Sequence, residues 1–128
     1  MKYIYLNSYL SLVKWFQNMV KYYEMEHTTY ELTIYILHKF IEKNPSIFFE
    51  NMTCIGFCCF SIAFKYNEGY DNMNITFNTI LYNVIDRHTF TLQEFQHFES
   101  LIFKTIEFRI PLSYPSIQTY IETIYTNP

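Results

Sequence analysis

The stretch that decides the fold runs from Met52 to Tyr66 and reads MTCIGFCCFSIAFKY. It contains no charged residue until Lys65, near its end. A helix that is apolar on every side is buried among other helices, so this stretch predicts a central helix over residues 51–66. Gly56 costs such a helix about 1 kcal/mol of propensity, and we expect it to allow a neighbouring helix to approach closely. A single cation after so long an apolar run suggests a role beyond packing.

Apolar residues at helical spacing predict further helices before and after the central one. The predicted ranges are residues 8–24, 28–43, 75–85 and 91–110, with a short sixth helix beginning near Pro115. Pro45 and Pro111 predict the ends of the second and fifth helices, because the residue before a proline avoids helical dihedral angles. We therefore expect an all-α fold of five helices with a central buried third helix and a short C-terminal sixth.

Two helix starts carry the spacing of a capping box. Thr28 is followed three residues later by Glu31, and Thr91 is followed in the same way by Glu94. In a capping box the two side chains satisfy free backbone N–H groups in the first turn of the helix. The sequence therefore predicts capped starts for the second and fifth helices.

Size and composition exclude several classes of function. The 128 residues, half of them hydrophobic, suffice for one domain with its own core. A net charge of -3 gives little support for nucleic-acid binding, and two glycines cannot form a glycine-rich phosphate-binding loop. The uncharged run is shorter than the ~20 residues that span a bilayer, and the first residues lack a signal-peptide pattern. We expect an intracellular protein, cytoplasmic or nuclear, that is not secreted and binds neither membrane nor nucleic acid.

A di-iron site is the enzyme alternative. Glu24 with His27, and Glu94 with His97, have the Glu-x-x-His spacing by which helical bundles hold two iron ions. The first pair, however, falls in the link between two predicted helices, and a complete site needs two more inward carboxylates. The candidates for those are Glu31, Glu42 and Glu50.

Three cysteines lie inside the apolar stretch, at Cys54, Cys58 and Cys59. A zinc site normally needs four ligands, and no histidine lies nearby in the sequence. A nucleophilic cysteine needs an electropositive, partly exposed setting, which this run does not offer. Buried free thiols in a reducing compartment are the favoured interpretation, and no cofactor or metal is expected.

Three segments, taken in order, resemble the cyclin box. They read LTIYILHKFIEKN (32–44), GFCCFSIAFKYNEGY (56–70) and FTLQEFQHFESLIFKTIEFRI (90–110). In cyclins the third helix ends in a motif like Ala-Ser-Lys and an aromatic or apolar residue, which here reads Ala63-Phe64-Lys65-Tyr66. The fifth helix of the family carries a glutamate before an apolar run, matched here by Glu99, and Trp15 matches a tryptophan of the first helix.

The resemblance divides the chain into an N-terminal extension (1–7), a five-helix box (8–110) and a tail with a short helix (111–128). The stretch FRIPLSYPSIQTYIETI (108–124) is similar to the end of the single-box cyclins of the phosphate-response and cyclin Y type. Whether the chain is a complete single box or a truncated two-box protein stays open. A viral source, with a host kinase as partner, also stays open, given a composition rich in Tyr, Phe, Ile and Asn.

The resemblance implies a regulatory subunit, not an enzyme. Such a subunit forms a heterodimer with a cyclin-dependent serine/threonine kinase and stabilises, or modulates, its active conformation. Lys65 and Glu99 would lie side by side and hydrogen-bond to the kinase backbone near its mobile helix. The implied neighbours in the kinase-binding surface are Ile62, Tyr66, Ser100, Phe103, Phe108 and Ile110. For Lys65 and Glu99, the alternative to a docking role is an ordinary intrachain surface pair. For the protein, the alternative function is a cyclin-fold scaffold for a partner that is not a kinase.

The sequence departs from the family at a buried ion pair. An arginine of the first helix that pairs with an aspartate of the second in two-box cyclins is replaced by Tyr9 and His38. Losing both charges together avoids a buried unpaired charge, which would cost several kcal/mol. The change weakens the substrate-docking groove expected there, although Leu12 and Trp15 remain candidates for a docking patch, with core packing as the alternative. A short insertion is expected at residues 71–76.

Overall fold

The computed structural model describes residues 3–67, 80–81 and 90–107, and within these ranges it is helical, with no strand. Five helices have their bounds inside these ranges: α1 (Tyr3–Tyr22), α2 (His27–Lys43), α3 (Pro45–Glu50), α4 (Met52–Asn67) and α5 (Leu92–Thr105). Ile80 and Leu81 are also helical and are buried. The rest of the predicted 75–85 helix, the 71–76 insertion and the sixth helix lie outside the described residues. The all-α prediction is confirmed.

Helix α4 is the centre of the packing, as its composition predicts. Residues 54–64 are all buried, and α4 packs against α1, α2, α3 and α5. At Gly56 an added Cβ would lie 2.6 Å from Leu12 Cδ2 and 2.7 Å from Cδ1. The expected close helix contact is therefore present, and α1 is the helix that makes it.

Aromatic rings fill the space between α1, α4 and α5. Phe60 is fully buried, and its ring centroid lies 5.5 Å from that of Trp15 and 6.3 Å from that of Phe16. Phe57 reaches across to Phe95 on α5 at 5.4 Å between centroids. Each such ring removes about 150–250 Å² from water, so this cluster fixes α5 and α1 against α4.

One of the two predicted capping boxes forms. At the start of α5 the Glu94 N–H donates to Thr91 Oγ1 over 3.1 Å, and the Thr91 N–H donates to Glu94 Oε1 over 3.1 Å. At the start of α2 the prediction is wrong: the N-cap is Glu26 and no side chain caps the helix. The Thr28 hydroxyl instead accepts a hydrogen bond from Asn67 Nδ2 over 2.6 Å.

Several helix bounds also differ from the prediction. Helix α1 begins at Tyr3, so part of the expected N-terminal extension is helical. Pro45 ends α2 as predicted, but it also opens the short α3, which was not predicted from the sequence. Helix α5 ends at Thr105 rather than near residue 110, and Glu107 has a left-handed φ of 56°. The predicted end at Pro111 lies outside the described residues.

Candidate functional site

Lys65 and Glu99 lie side by side, on two different helices. Lys65 occupies the last turn of α4, where a cation is favoured by the helix dipole. Its Nζ lies 3.1 Å from Glu99 Oε2 and 3.3 Å from Oε1. The side chains are 34% and 17% exposed. The pair is therefore partly shielded and still open to solvent.

Two further side chains surround this ion pair. Ser61, one turn before Lys65, donates from Oγ to Glu99 Oε2 over 2.7 Å. The Lys65 ammonium also lies 5.8 Å from the centre of the Phe95 ring, within the range of a cation–π contact. Two residues of α4 and two of α5 thus form one cluster that joins the helices at their solvent-facing edge.

The remaining predicted kinase-binding residues divide by burial. Tyr66 follows Lys65 directly and is 59% exposed. Ser100 is exposed, and Phe103 is partly buried against the core. Ile62 is only 2% exposed and belongs to the core, so it has little surface to offer a partner. Phe108 and Ile110 lie outside the described residues.

A groove of about 320 Å³ lies between α1 and the first half of α4. Both predicted docking-patch residues, Leu12 and Trp15, line it. The other described lining residues were not part of the predicted patch, and they are Ser8, Ser11, Met52, Thr53 and Phe57. The α1 members follow i, i+3, i+4, i+7 spacing, the signature of one helix face, so the sequence held that half of the signal. Among the residues that the structure describes, the groove has apolar walls and three hydroxyl groups, and none of these lining residues is charged.

The core-packing alternative for Trp15 also has support. Its ring centroid lies 5.7 Å from that of Phe16 and 6.1 Å from that of Phe57. Trp15 therefore contributes one side to the aromatic core and another to the groove. The two interpretations describe different faces of the same side chain.

Tyr9 and His38 meet in the core. The Tyr9 hydroxyl and His38 Nε2 share a hydrogen bond that joins α1 to α2. Both side chains are buried, at 0% and 5% exposed. Burial lowers the pKa of His38 from 6.5 to about 3, so this imidazole is neutral at physiological pH. The contact between the two helices at this point is therefore made by two uncharged side chains.

The alternatives based on metal chemistry receive no support from the described residues. Among them, no group of three or more His, Cys, Asp or Glu side chains is placed to hold a metal ion. Glu24 lies in a turn with φ 54° and His27 begins α2, so this pair does not share a helix. The three cysteines are free and buried, and burial raises the pKa of the Cys58 and Cys59 thiols. All three thiols are part of the buried core, a setting that disfavours the nucleophilic thiolate.

In the described part of the chain, no helix combines the length and apolar character needed to cross a membrane.

Comparison with known families supports the architecture. The family model for the cyclin N-terminal domain matches residues 5–111, which is most of the chain. Neither a curated protein nor a solved structure matches this chain.

Proposed function

Because the chain belongs to the cyclin family, whose members are regulatory and non-catalytic, we propose that it binds a cyclin-dependent serine/threonine kinase and stabilises, or modulates, its active conformation. The observation that carries the proposal is the partly exposed pair of Lys65 and Glu99. Its ammonium and carboxylate lie together on adjacent helices, 3.1 Å apart.

The chemistry of the pair suits a backbone partner. A carboxylate accepts hydrogen bonds and an ammonium donates them, so the pair can meet the N–H and C=O groups of a kinase main chain together. The proposed surface extends to Tyr66, Ser100 and Phe103. Phe108 and Ile110 are proposed members from family resemblance, and Ile62 would act by supporting the surface from the core.

The proposed mechanism is a shift of the kinase's conformational population. A kinase of this class, when alone, holds its regulatory helix swung out, which breaks the ion pair between its catalytic lysine and a glutamate on that helix. A partner that binds the swung-in state more tightly moves the equilibrium. Changing the ratio of the swung-in to the swung-out state from 1:99 to 99:1 needs about 5.5 kcal/mol of differential affinity for the two states. An interface with an aromatic centre can supply that amount.

The test is co-expression of the full chain with a panel of cyclin-dependent kinases, followed by co-purification and a histone phosphorylation assay. The double variant Lys65→Ala/Glu99→Ala should lose the kinase and keep its helical circular dichroism. A matched control is Lys39→Ala/Glu42→Ala. That control removes another lysine–glutamate pair, 3.9 Å apart on α2, whose lysine also lies over an aromatic ring, that of Tyr35.

The proposal fails if no kinase of the panel co-purifies with the wild-type chain. Equal binding by the wild type and the Lys65/Glu99 variant would reject the pair as the anchor. Bound kinase without raised histone phosphorylation would indicate sequestration instead of activation.

The groove between α1 and α4 supports a second candidate, a cyclin-fold scaffold for a partner that is not a kinase. We propose that the groove docks a linear apolar segment, with Leu12 and Trp15 as its floor. Replacing exposed Ser11 by Arg would obstruct the groove without disturbing the aromatic core. If Ser11→Arg loses partners in a pulldown while Lys65→Ala/Glu99→Ala keeps them, the scaffold function is supported.

A further inference from the structure

The carboxylate of Glu99 is held by a buried hydroxyl as well as by an ammonium. Ser61 is fully buried, and its Oγ donates to Glu99 Oε2 over 2.7 Å. Lys65 Nζ donates to the same oxygen over 3.1 Å. Ser61 and Lys65 are four residues apart, so they lie on one face of α4. Two donors of one helix therefore hold a single carboxylate of the other.

We propose that Ser61 is a positioning residue for Lys65 and Glu99, the docking pair of the proposed kinase-binding surface. Its hydroxyl fixes the carboxylate of Glu99, and through it the ammonium of Lys65, in the orientation that a kinase partner meets. This inference rests on the proposed function and adds a residue to it.

Burial separates this role from direct contact. Ser61 is 0% exposed, so it acts on a partner only through Glu99. A serine inside a helix often donates to the backbone carbonyl four residues before it, as the Thr33 hydroxyl does to Thr29 O over 2.7 Å. Ser61 instead donates across the interface between α4 and α5. The geometry thus directs this buried hydroxyl at the docking pair.

Preorganisation gives the bond its expected effect on affinity. A hydrogen bond to an ionised acceptor is stronger than one between neutral groups. Without it, the Glu99 carboxylate would be held on α4 by Lys65 alone, which is 34% exposed. Ordering both side chains would then occur during binding and would weaken the complex. Loss of the hydroxyl should raise the Kd for the kinase by about tenfold.

The experiment compares three full-length variants with the wild type. Ser61→Ala removes the hydroxyl, Ser61→Thr keeps it, and Thr33→Val removes an equally buried hydroxyl whose bond goes to the backbone of α2. The Kd for a kinase that co-purifies with the wild type is measured by calorimetry, and the Tm of each variant by circular dichroism.

The expected result is an approximately tenfold rise in Kd for Ser61→Ala, recovery in Ser61→Thr and an unchanged Kd for Thr33→Val, even where Tm falls alike. An unchanged Kd in Ser61→Ala would overturn the positioning role and leave the proposed function standing. A Kd that rises equally in Ser61→Ala and Thr33→Val would also overturn it, since general packing would then explain the loss. If the wild type binds no kinase, the proposed function and this inference fall together.

Discussion

Acidification should destabilise this fold through His38. Its imidazole is buried, and burial lowers its pKa from 6.5 to about 3. Between these values the unfolded chain binds a proton that the folded chain does not. The stability that His38 contributes is therefore fully present above pH 6.5 and is lost as the pH falls toward 3.

The size of the effect follows from the same two values. For each pH unit that the solution is acidified between pH 6.5 and about 3, the free energy of unfolding falls by about 1.4 kcal/mol. Lowering the pH from 7.5 to 4.5 crosses about two units of the window, so His38 alone should remove about 2–3 kcal/mol from the free energy of unfolding. That is a large part of the roughly 5–15 kcal/mol typical of a domain.

The measurement is urea unfolding followed by circular dichroism at pH 7.5, 6.5, 5.5 and 4.5. A His38→Gln variant is the control, because its amide is neutral at every pH and can still share a hydrogen bond with Tyr9. The carboxylates titrate in both proteins, so the difference between the two slopes isolates His38. NMR titration of the wild-type imidazole gives a second test. Equal slopes, or an imidazole that titrates near pH 6.5 in the folded protein, would refute the reasoning.

Three further changes test the packing. Thr91→Ala should lower the free energy of unfolding in urea by about 1 kcal/mol, the usual contribution of an N-cap. Thr91→Ser should be nearly as stable as the wild type, and equal stability of all three proteins would contradict the capping box. Gly56→Ala places a Cβ 2.6 Å from Leu12 Cδ2, so the end of the Leu12 side chain must shift, and the cost of that shift opposes the helix-propensity gain of about 1 kcal/mol. Leu12→Ala should then cost less in the Gly56→Ala background than in the wild type, and additive costs would show that the two side chains do not collide. Phe60→Ala should lower the free energy of unfolding, measured by thermal unfolding, by about 3–5 kcal/mol. The control is Leu92→Ala, which should cost less than about 0.5 kcal/mol, because Leu92 is 45% exposed. Similar losses in the two variants would place Phe60 outside the core.

Local patterns predicted what local physics decides. The uncharged run around Phe57 specified a buried helix, because no other environment accepts apolar residues on all sides. The capping box of Thr91 and Glu94 also formed, since its bonds lie within one turn of helix. These features need no knowledge of the rest of the fold.

Tertiary contacts overrode local patterns elsewhere. At the start of α2, Asn67 Nδ2 donates to Thr28 and to Thr29, so the hydroxyls serve the contact with α4 instead of a cap. At the end of α5, Lys43 Nζ donates to Thr105 O over 3.3 Å. That bond satisfies a carbonyl at the point where α5 stops. Neither contact can be read from the neighbouring residues, because each partner lies far away in the sequence.

The candidate site shows the same division. The sequence identified Lys65 and Glu99 by resemblance, and the α1 half of the groove lay in a helical spacing. The sequence did not distinguish the buried Ile62 from the exposed Tyr66. The helix is apolar on every side, so its pattern does not show which of its apolar residues face solvent. The sequence also did not reveal Ser61, whose role depends on α5 crossing α4 at that turn.

The resemblance to two-box cyclins implies that Tyr9 and His38 stand where that family has an arginine paired with an aspartate, and the structure shows a buried neutral contact there. A charge left alone in the core would cost about 3–5 kcal/mol, so an arginine or an aspartate at only one of these two positions would carry a large penalty. A hydroxyl and a neutral imidazole can share one hydrogen bond without either needing a counter-ion. This bond joins α1 to α2 and so helps to position the α1 wall of the groove. A contact that depends on an uncharged histidine weakens in acid, whereas an arginine–aspartate pair would hold until its carboxylate was protonated.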